Sequence, residues 1–484
     1  AMSVSYPAGH PLSRLSSAGV LIGLGGSLVG LFAGALVNQM PIVLAAAFIA
    51  ILIVCCFLFQ FEYSILGLFI VRSSLDLFSA QQLPAAFALG LDAFTIAYIC
   101  YLSIARKQIQ LDLFWCFYLF WLLLQGLWIV LIPLGAFDLG LASVSSGLRE
   151  WIRMGSWVLA YLLILQLRGK IPPETIVQSL FFALIVPLTT AAMQLLLPPS
   201  VLPDPLVFEG GGTFEANSRI SGSLGHANTF GTFLLFFMGL AYWQVKRQRQ
   251  PLCWLCLLGA LVFFLVSTKA LGSLAMFAAF AVVMVIPRLS LPKLLGSLLL
   301  VAAIIALFGS TEFGRERLGS IAATPLLNPN IDWSRAVLMS WFDHNSFNWR
   351  ISQWTLLIDA WKQSPWLGHG IYTSSDLTIL YNYAHNDYVR ALAEGGVVGL
   401  FLFVMLLFAQ LIRLIRIYVA SAYQPSRQTL SAVMLSFLVA IMVGMATENV
   451  WTHTTLFFYW WVVFAVLGWE WETDTQAYSV SRLT

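Results

Sequence analysis

The stretch from Tyr383 to Tyr388 holds the side chains best suited to catalysis, because it sets a histidine beside a long apolar run. Histidine is the residue type best suited to exchange a proton with a substrate hydroxyl at neutral pH. The apolar run over residues 397–411 predicts a membrane helix, which puts His385 at the boundary between water and lipid. The simpler alternative is that His385 and Asn386 cap the start of this helix, where backbone N–H groups need acceptors.

The composition of the chain is that of a membrane protein. Of the 484 residues, 60% are hydrophobic and only 10% are charged, and the mean hydropathy is +0.84. Soluble domains carry about 25% charged residues. The net charge of +3 and the lack of a long basic stretch argue against nucleic-acid binding. Cys253 and Cys256 have CxxC spacing inside an apolar run without a second ligand pair, so we predict that they serve helix packing.

The apolar runs predict an all-α fold, a polytopic membrane helix bundle that forms one transmembrane domain over residues 1–484. A bilayer core needs about 20 helical residues per span, which gives about fourteen spans. They lie near 18–37, 41–60, 62–79, 85–105, 112–133, 148–168, 175–197, 226–245, 251–267, 270–287, 292–309, 392–413, 429–447 and 452–470. Lys and Arg cluster in alternate short loops, which places those loops and both termini in the cytoplasm.

Two long loops, 198–225 and 310–391, are then predicted to face outward from the plasma membrane. The second is too long for a simple connection, so we expect it to be partly helical. Its best helix is Trp349–Lys362, where apolar residues recur at helical spacing and Pro365 stops the helix. Its aromatic side chains suit stacking on sugars. This loop also carries His385.

Cations collect on the outer side in this arrangement, against the usual bias, and so do five of the six histidines. An anionic ligand reached from outside would explain them. The planar fork of arginine suits a phosphate or diphosphate. The alternative is that Arg149 and Arg153 extend to lipid headgroups. The outer ionisable residues are Arg149, Arg153, Arg219, Lys269, Arg350 and Glu448, with His226, His344, His369, His385 and His453.

Three patterned segments surround these charges. The first, Arg219–Asn228, joins a cation and two glycines to a predicted helix start, which favours anions. The second, Arg350–Gly370, runs from an arginine through a Trp-containing helix to a Ser-Pro-Trp-Leu-Gly-x-Gly turn, and the third, His385–Gly399, reads His-Asn-x-Tyr followed by Glu-Gly-Gly-Val-Val-Gly. Together they resemble the O-antigen ligase and polymerase superfamily of bacterial envelope proteins, over roughly residues 150–450.

The resemblance implies a GT-C-like glycosyltransferase that works at the outer face of the plasma membrane on a polyprenyl-diphosphate-linked glycan. By position, His385 is similar to the catalytic histidine of the family, and Arg219 and Arg350 are similar to its diphosphate ligands. Lys269 stands where the family often has arginine, so it keeps the charge without the planar fork. Arg153 completes the predicted donor site. The residues predicted to support it are Arg149, His226, Asn386, Glu394 and Glu448.

The expected reaction is polymerisation of lipid-linked oligosaccharide repeat units into a surface or exported polysaccharide. The first alternative is a ligase that transfers the glycan to a lipid core or another acceptor, because both reactions share a donor. The second is a small-anion transporter, although no paired Gly/Pro-broken spans occur in two halves of the chain. We expect no cofactor and no metal, since no DxD-type signature lies outside. The expected partners are the lipid-linked glycan, its acceptor, the bilayer, a flippase and a chain-length regulator.

Overall fold

A computed structural model of the protein describes most of the chain beyond residue 59. The described residues are 51, 60–134, 139–198, 200–203, 206–207, 219–285, 291–312, 314–316, 319, 324–325, 328–341, 346–379 and 381–471. Within these ranges the regular structure consists of α-helices and short 3-10 turns, without a β-strand. The prediction of an all-α fold is therefore confirmed.

The α-helices follow the apolar runs of the sequence closely. In chain order they are α1 (Phe61–Arg72), α2 (Leu83–Ile104), α3 (Leu113–Leu131), α4 (Leu141–Leu165), α5 (Pro173–Ser179), α6 (Ile185–Leu196), α7 (Ala227–Arg247), α8 (Leu252–Ser267), α9 (Leu271–Val285), α10 (Leu291–Ser310), α11 (Trp333–Trp341), α12 (Ser346–Trp361), α13 (Asp387–Ala420), α14 (Pro425–Gly444) and α15 (Thr454–Leu467).

Five helical segments in the described part are long and apolar enough to cross a membrane. They are α2, α3, the continuous segment Pro173–Leu196 that contains α5 and α6, α13 and α14. The total of about fourteen spans and the GT-C-like class stay predictions. The predicted spans 18–37 and 41–60 lie outside the described residues, apart from residues 51 and 60.

The described residues group into two compact units. The first draws on the described residues up to Gln110, on Leu163–His226 and on Phe458–Trp471, and the second on Leu111–Leu162 and Ala227–Phe457. Each unit therefore combines segments that are distant in the sequence. The boundary places the segment around Arg219 in the first unit and the segment around His385 in the second.

Ser73 ties the first unit together through three buried hydrogen bonds. Its hydroxyl donates to the carbonyl oxygen of Ala183 (2.7 Å), and its backbone N–H donates to the Tyr459 hydroxyl (3.1 Å). Its carbonyl oxygen accepts from the Ser223 hydroxyl (2.8 Å). Because all these groups are buried, each would be costly to leave without a partner. The 3-10 turn Gly222–Leu224 is thereby fixed against the end of α1.

The second unit is built around α13 and α14, which pack against each other. α13 also contacts α3 and α12, whereas α14 also contacts α7 and α9. The predicted helix Trp349–Lys362 is confirmed as α12, which ends before Pro365. The predicted loop 310–391 thus contains α11 and α12, and His344 within it lies outside the described residues.

A glycine breaks α13 near its start. Gly396 has φ 61° and ψ −164°, a backbone conformation open to glycine almost alone. The break frees two N–H groups for partners outside the helix. Val397 donates to the carbonyl oxygen of Pro365 (2.9 Å), and Val398 donates to that of Trp366 (3.1 Å). The chain that follows α12 is therefore bound to α13 through main-chain hydrogen bonds.

The docked turn has its own glycine requirement. Gly368 has φ 67°, and a Cβ atom there would lie 2.4 Å from the carbonyl oxygen of Glu394. His369 and Gly370 donate their N–H groups to the carbonyl oxygens of Ala393 (3.2 Å) and Glu394 (2.9 Å). Two glycine-containing motifs that are separate in the sequence thus form one backbone-to-backbone contact.

We expect Gly396→Ala to destabilise the protein by about 3 kcal/mol or more, because it combines backbone strain with a clash. A Cβ at this position would lie 2.3 Å from the carbonyl carbon of Trp366. Thermal unfolding of the purified protein in detergent measures the change. The control is Gly259→Ala in α8, where a Cβ meets no atom within 4 Å. Equal melting temperatures for the two variants would show that the break does not hold the fold.

Candidate active site

The carboxylate of Glu448 is the point at which the candidate site converges. Glu448 follows α14 and is only 4% exposed. One of its oxygens accepts from Arg350 Nη2 at 2.8 Å and from the side-chain amide of Asn228, and the other lies 3.3 Å from Nδ1 of His385. A buried carboxylate needs such donors to remain ionised. Three distant segments of the chain therefore meet at one side chain.

His385 is oriented for proton transfer by this contact. An ionised Glu448 can only accept a hydrogen bond, so it holds the hydrogen of the imidazole on Nδ1. Nε2 then keeps its lone pair, and it has no hydrogen-bond partner among the described residues. The side chain of His385 is 23% exposed. The ring is therefore partly open, and a neutral imidazole with its hydrogen on Nδ1 would present Nε2 as a general base requires.

The backbone around His385 explains why the ring points to Glu448 and not along the helix. His385 has φ 48°, a left-handed conformation that histidine tolerates better than most residues. Asn386 is the cap of α13, because its side chain accepts from the N–H groups of Tyr388 and Val389, each at 3.0 Å. The simpler alternative is thus correct for Asn386, while the His385 side chain is engaged elsewhere.

Two aromatic residues of α12 hold the chain at this position. The Trp354 indole donates to the carbonyl oxygen of Ala384 at 2.6 Å. The ring of Trp349 meets the His385 ring edge to face, with centroids 5.8 Å apart. α12 also carries Arg350, so one helix positions both the imidazole and a cation.

Arg350 has donor capacity beyond its contact with Glu448. The side chain is 22% exposed. Its Nε is buried and has no hydrogen-bond partner within the part of the chain that the structure describes. A buried N–H of a charged group is costly when unsatisfied. Arg350 therefore presents a free donor beside the carboxylate that orients His385.

Lys269 lies in the turn between α8 and α9, close to the same carboxylate. It has φ 53° and is half-buried. Gly272, at the start of α9, is so near Glu448 that a Cβ on it would lie 3.5 Å from Cγ of the glutamate. The start of α9 therefore lies beside Glu448. The role of Lys269 as a ligand of the donor diphosphate stays a prediction.

Arg153 is paired inside the protein. Its guanidinium binds the carboxylate of Glu150, with Nε 2.8 Å from Oε2. Nη1 donates to the carbonyl oxygen of Trp451 at 2.9 Å and to the Thr454 hydroxyl at 3.2 Å. These contacts make Arg153 a bridge between α4 and the chain that precedes α15. Its role as a diphosphate ligand stays a prediction.

A cavity of about 50 Å³ lies beside this ion pair, between α3, α4 and α13. Glu150, Arg390 and Glu394 line it together with the indoles of Trp121 and Trp128. It can hold about three water molecules, which is too little for a sugar ring. Arg390 Nη1 is buried without a hydrogen-bond partner in the described residues, so water is the ligand that this cavity suits.

Glu394 supports a loop and not the histidine. Its buried carboxylate accepts from the backbone N–H groups of Tyr372 (2.9 Å) and Ser374 (3.2 Å). It forms no hydrogen bond with His385 in the described part of the chain. Burial and the hydrogen bond with Tyr383 raise the pKa of the neighbouring Tyr372, so this phenol stays protonated.

The remaining predicted residues lie apart from this cluster or in the other unit. In the first unit, Arg219 is half-buried and His226 is exposed. The segment between them is held by the Gln194 amide oxygen, which accepts from the N–H groups of Ser221 (3.0 Å) and Gly222 (2.9 Å). In the second unit, Arg149 is exposed near the start of α4.

Sequence reasoning missed two residues of the second unit's polar network. The sequence motifs predict no role for Asp387, between Asn386 and Tyr388, or for Glu150, next to Arg149. A usable signal was present, because carboxylates next to membrane-length apolar runs are rare unless they are paired. Asn228 lies in the Arg219–Asn228 motif, and its side-chain amide donates a hydrogen bond to Glu448.

Metal chemistry has no evident ligand set in the described ranges. No group of three or more His, Cys, Asp or Glu residues there could hold a metal ion. Metal independence nevertheless stays a prediction.

Comparison with known proteins gives one match. A protein-family model described as O-antigen ligase matches residues 252–404. The matched range includes Lys269, Arg350 and His385, whereas Glu448 and Arg219 lie outside it. The comparison with curated proteins found no match. The match of residues 252–404, in a chain whose described part holds five membrane-length apolar helical segments, supports the assignment of this protein to the O-antigen ligase and polymerase superfamily of integral membrane proteins.

Proposed function

We propose that the protein is a glycosyltransferase that polymerises polyprenyl-diphosphate-linked oligosaccharide repeat units into a surface or exported polysaccharide. The family match indicates O-antigen ligase or polymerase activity. The observation that carries the proposal is the pairing of His385 Nδ1 with the buried Glu448 carboxylate at 3.3 Å, which leaves Nε2 open toward a substrate. The site would face the outer side of the plasma membrane, with both termini in the cytoplasm.

His385 would act as the general base on the acceptor. The acceptor hydroxyl gives its proton to Nε2, and its oxygen forms a bond to the anomeric carbon of the donor sugar. The bond from that carbon to the diphosphate oxygen breaks, and polyprenyl diphosphate leaves with the electron pair. Glu448 stabilises the imidazolium that forms, because the charge pair is largely buried. The imidazolium then returns its proton to water.

The cations near Glu448 would bind the diphosphate. Arg350 offers its unpaired Nε while Nη2 stays on Glu448, so one guanidinium would join the leaving group to the base. Lys269 adds a charge from the adjacent turn. A role for Arg219, which belongs to the first unit, stays a prediction from its motif. Charge stabilisation of the leaving group is the main requirement here, because the donor already carries the activated bond.

A ligase is the second candidate, since the matching family model is described as O-antigen ligase. It would use the same donor and base but a lipid core or another acceptor. The match favours either transfer reaction over the anion-transport alternative. A flippase that delivers the donor and a chain-length regulator are the protein partners that we propose for the polymerase.

We expect His385→Ala to lower kcat by about 10²- to 10⁴-fold with little change in donor KM, because general-base catalysis acts only in the transition state. The assay uses purified protein in liposomes with the polyprenyl-diphosphate oligosaccharide as the sole glycan, and longer lipid-linked glycans are resolved by electrophoresis. Products that form only after a separate acceptor is added would establish the ligase. Undiminished turnover in the variant would exclude His385 as the base.

We expect Arg350→Lys to raise the donor KM by about tenfold, because the three N–H groups of lysine sit on one nitrogen and cannot span Glu448 and a phosphate as the planar guanidinium can. The measurement is the dependence of the initial rate on donor concentration. The matched control is Lys362→Ala, which removes an exposed cation just beyond the end of α12. An unchanged KM for Arg350→Lys would restrict Arg350 to the support of Glu448.

A further inference from the structure

Asp387 binds both ends of the loop that carries Glu448. Its backbone N–H donates to the carbonyl oxygen of Met445 at 2.8 Å. Its side-chain Oδ2 accepts from the N–H of Trp451, also at 2.8 Å. Glu448 stands midway between Met445 and Trp451 in the sequence, three residues from each. One residue thus closes the loop at whose centre the carboxylate lies.

The same residue is close to the histidine in the chain. Asp387 is the first residue of α13, and His385 precedes it by two positions, separated only by the cap residue Asn386. The distance between His385 and Glu448 is therefore determined by short connections on both sides of Asp387. A shift of the loop relative to α13 would change that distance directly.

Asp387 is buried and has a charged neighbour on its own helix. It is fully buried, at 0% exposure. Its other carboxylate oxygen lies 3.2 Å from Arg390 Nη2, one turn along α13. Breaking such a buried pair is expensive, because it leaves a charge without compensation. The Asp387 carboxylate is therefore well suited to hold one fixed geometry.

The far end of the loop is fixed from the other side as well. The carbonyl oxygen of Trp451 accepts from Arg153, so both main-chain polar groups of this residue are bound to charged side chains. The Trp451 ring packs edge-on against Trp157 and Phe403, at centroid distances of 5.2 and 5.3 Å. The loop is thus anchored at Trp451, and Asp387 connects that anchor to the histidine.

We propose that Asp387 is a positioning residue for the transfer reaction, which sets the His385–Glu448 contact by holding the 445–451 loop against the start of α13. The inference rests on the proposed function for its effect on turnover, but its structural part is independent of that function. The Asp387 side chain contacts neither His385 nor Glu448 in the described residues, so it would act on this pair, the His385–Glu448 dyad, through the loop alone. A misplacement of about 1 Å at a reacting group can lower the rate by about 10²-fold.

The competing explanation is that Asp387 only stabilises the fold, as a carboxylate at a helix start interacts favourably with the helix dipole. A matched control exists for this role. Asp112 caps α3 by accepting from the N–H of Trp115 (2.7 Å), and it pairs with Arg413 (2.9 Å). Asp112 thus has the same kinds of partner as Asp387 without a connection to the Glu448 loop.

The experiment is a double-mutant cycle of Asp387→Asn and His385→Ala, with Asp112→Asn as the control, in the liposome assay. We expect Asp387→Asn to lower kcat by about 10- to 100-fold with donor KM changed less than about twofold. In the His385→Ala background it should lower kcat no further, because a residue that acts through the dyad has nothing left to position. Asp112→Asn should leave kcat unchanged while it lowers the melting temperature about as much as Asp387→Asn does.

A second readout does not depend on turnover. The rate of acylation of His385 by diethyl pyrocarbonate, followed by mass spectrometry, should differ several-fold between Asp387→Asn and wild type, since the contact with Glu448 sets the basicity of the ring. An equal rate in the two proteins, or the same kcat loss in both backgrounds of the cycle, would overturn the positioning role. A changed acylation rate in a protein that never consumes the donor would refute the proposed function and leave the positioning role intact.

Discussion

A buried carboxylate must be compensated wherever it lies, and the candidate site of this protein follows from that requirement at Glu448. Its desolvation would cost several kcal/mol if it stood alone. Asn228, Arg350 and His385 supply the compensation, from the start of α7, from α12 and from the chain before α13. The same contacts that stabilise the charge also orient the imidazole, so the stability of this region and its proposed chemistry rest on one group.

The two glycine-containing motifs have a structural meaning that their sequences do not reveal. The turn around Gly368 and the break at Gly396 bind each other through four main-chain hydrogen bonds. Each glycine is required because the other backbone lies where its Cβ would be. This contact fixes the end of α12 relative to α13, and those helices carry or adjoin Arg350 and His385. The motifs thus serve the geometry of the site without touching its reacting groups.

The buried charges of the second unit form two networks with different partners. Around Glu448 the arginine keeps an unsatisfied donor, which favours a ligand. Around Glu150, the guanidinium of Arg153 is occupied by a carboxylate, a carbonyl oxygen and a hydroxyl, which favours a supporting role. Asp387 and Trp451 join the two networks. Residue type alone could not show that Arg350 is suited to bind a ligand and Arg153 to support the fold, because each arginine precedes an apolar segment.

The sequence by itself determined the helical membrane character of the chain, the position of α12 and the motifs that contain Lys269, Arg350 and His385. Apolar runs, helical spacing and turn residues act over short distances, so they can be read locally. Only the tertiary structure decided that Glu448, 63 residues after His385, is the partner of its imidazole. It also showed that Arg153 is paired with Glu150 and that Glu394 supports a loop. These contacts join segments whose separation is set by helix packing, and no local pattern records which side chains that packing brings together.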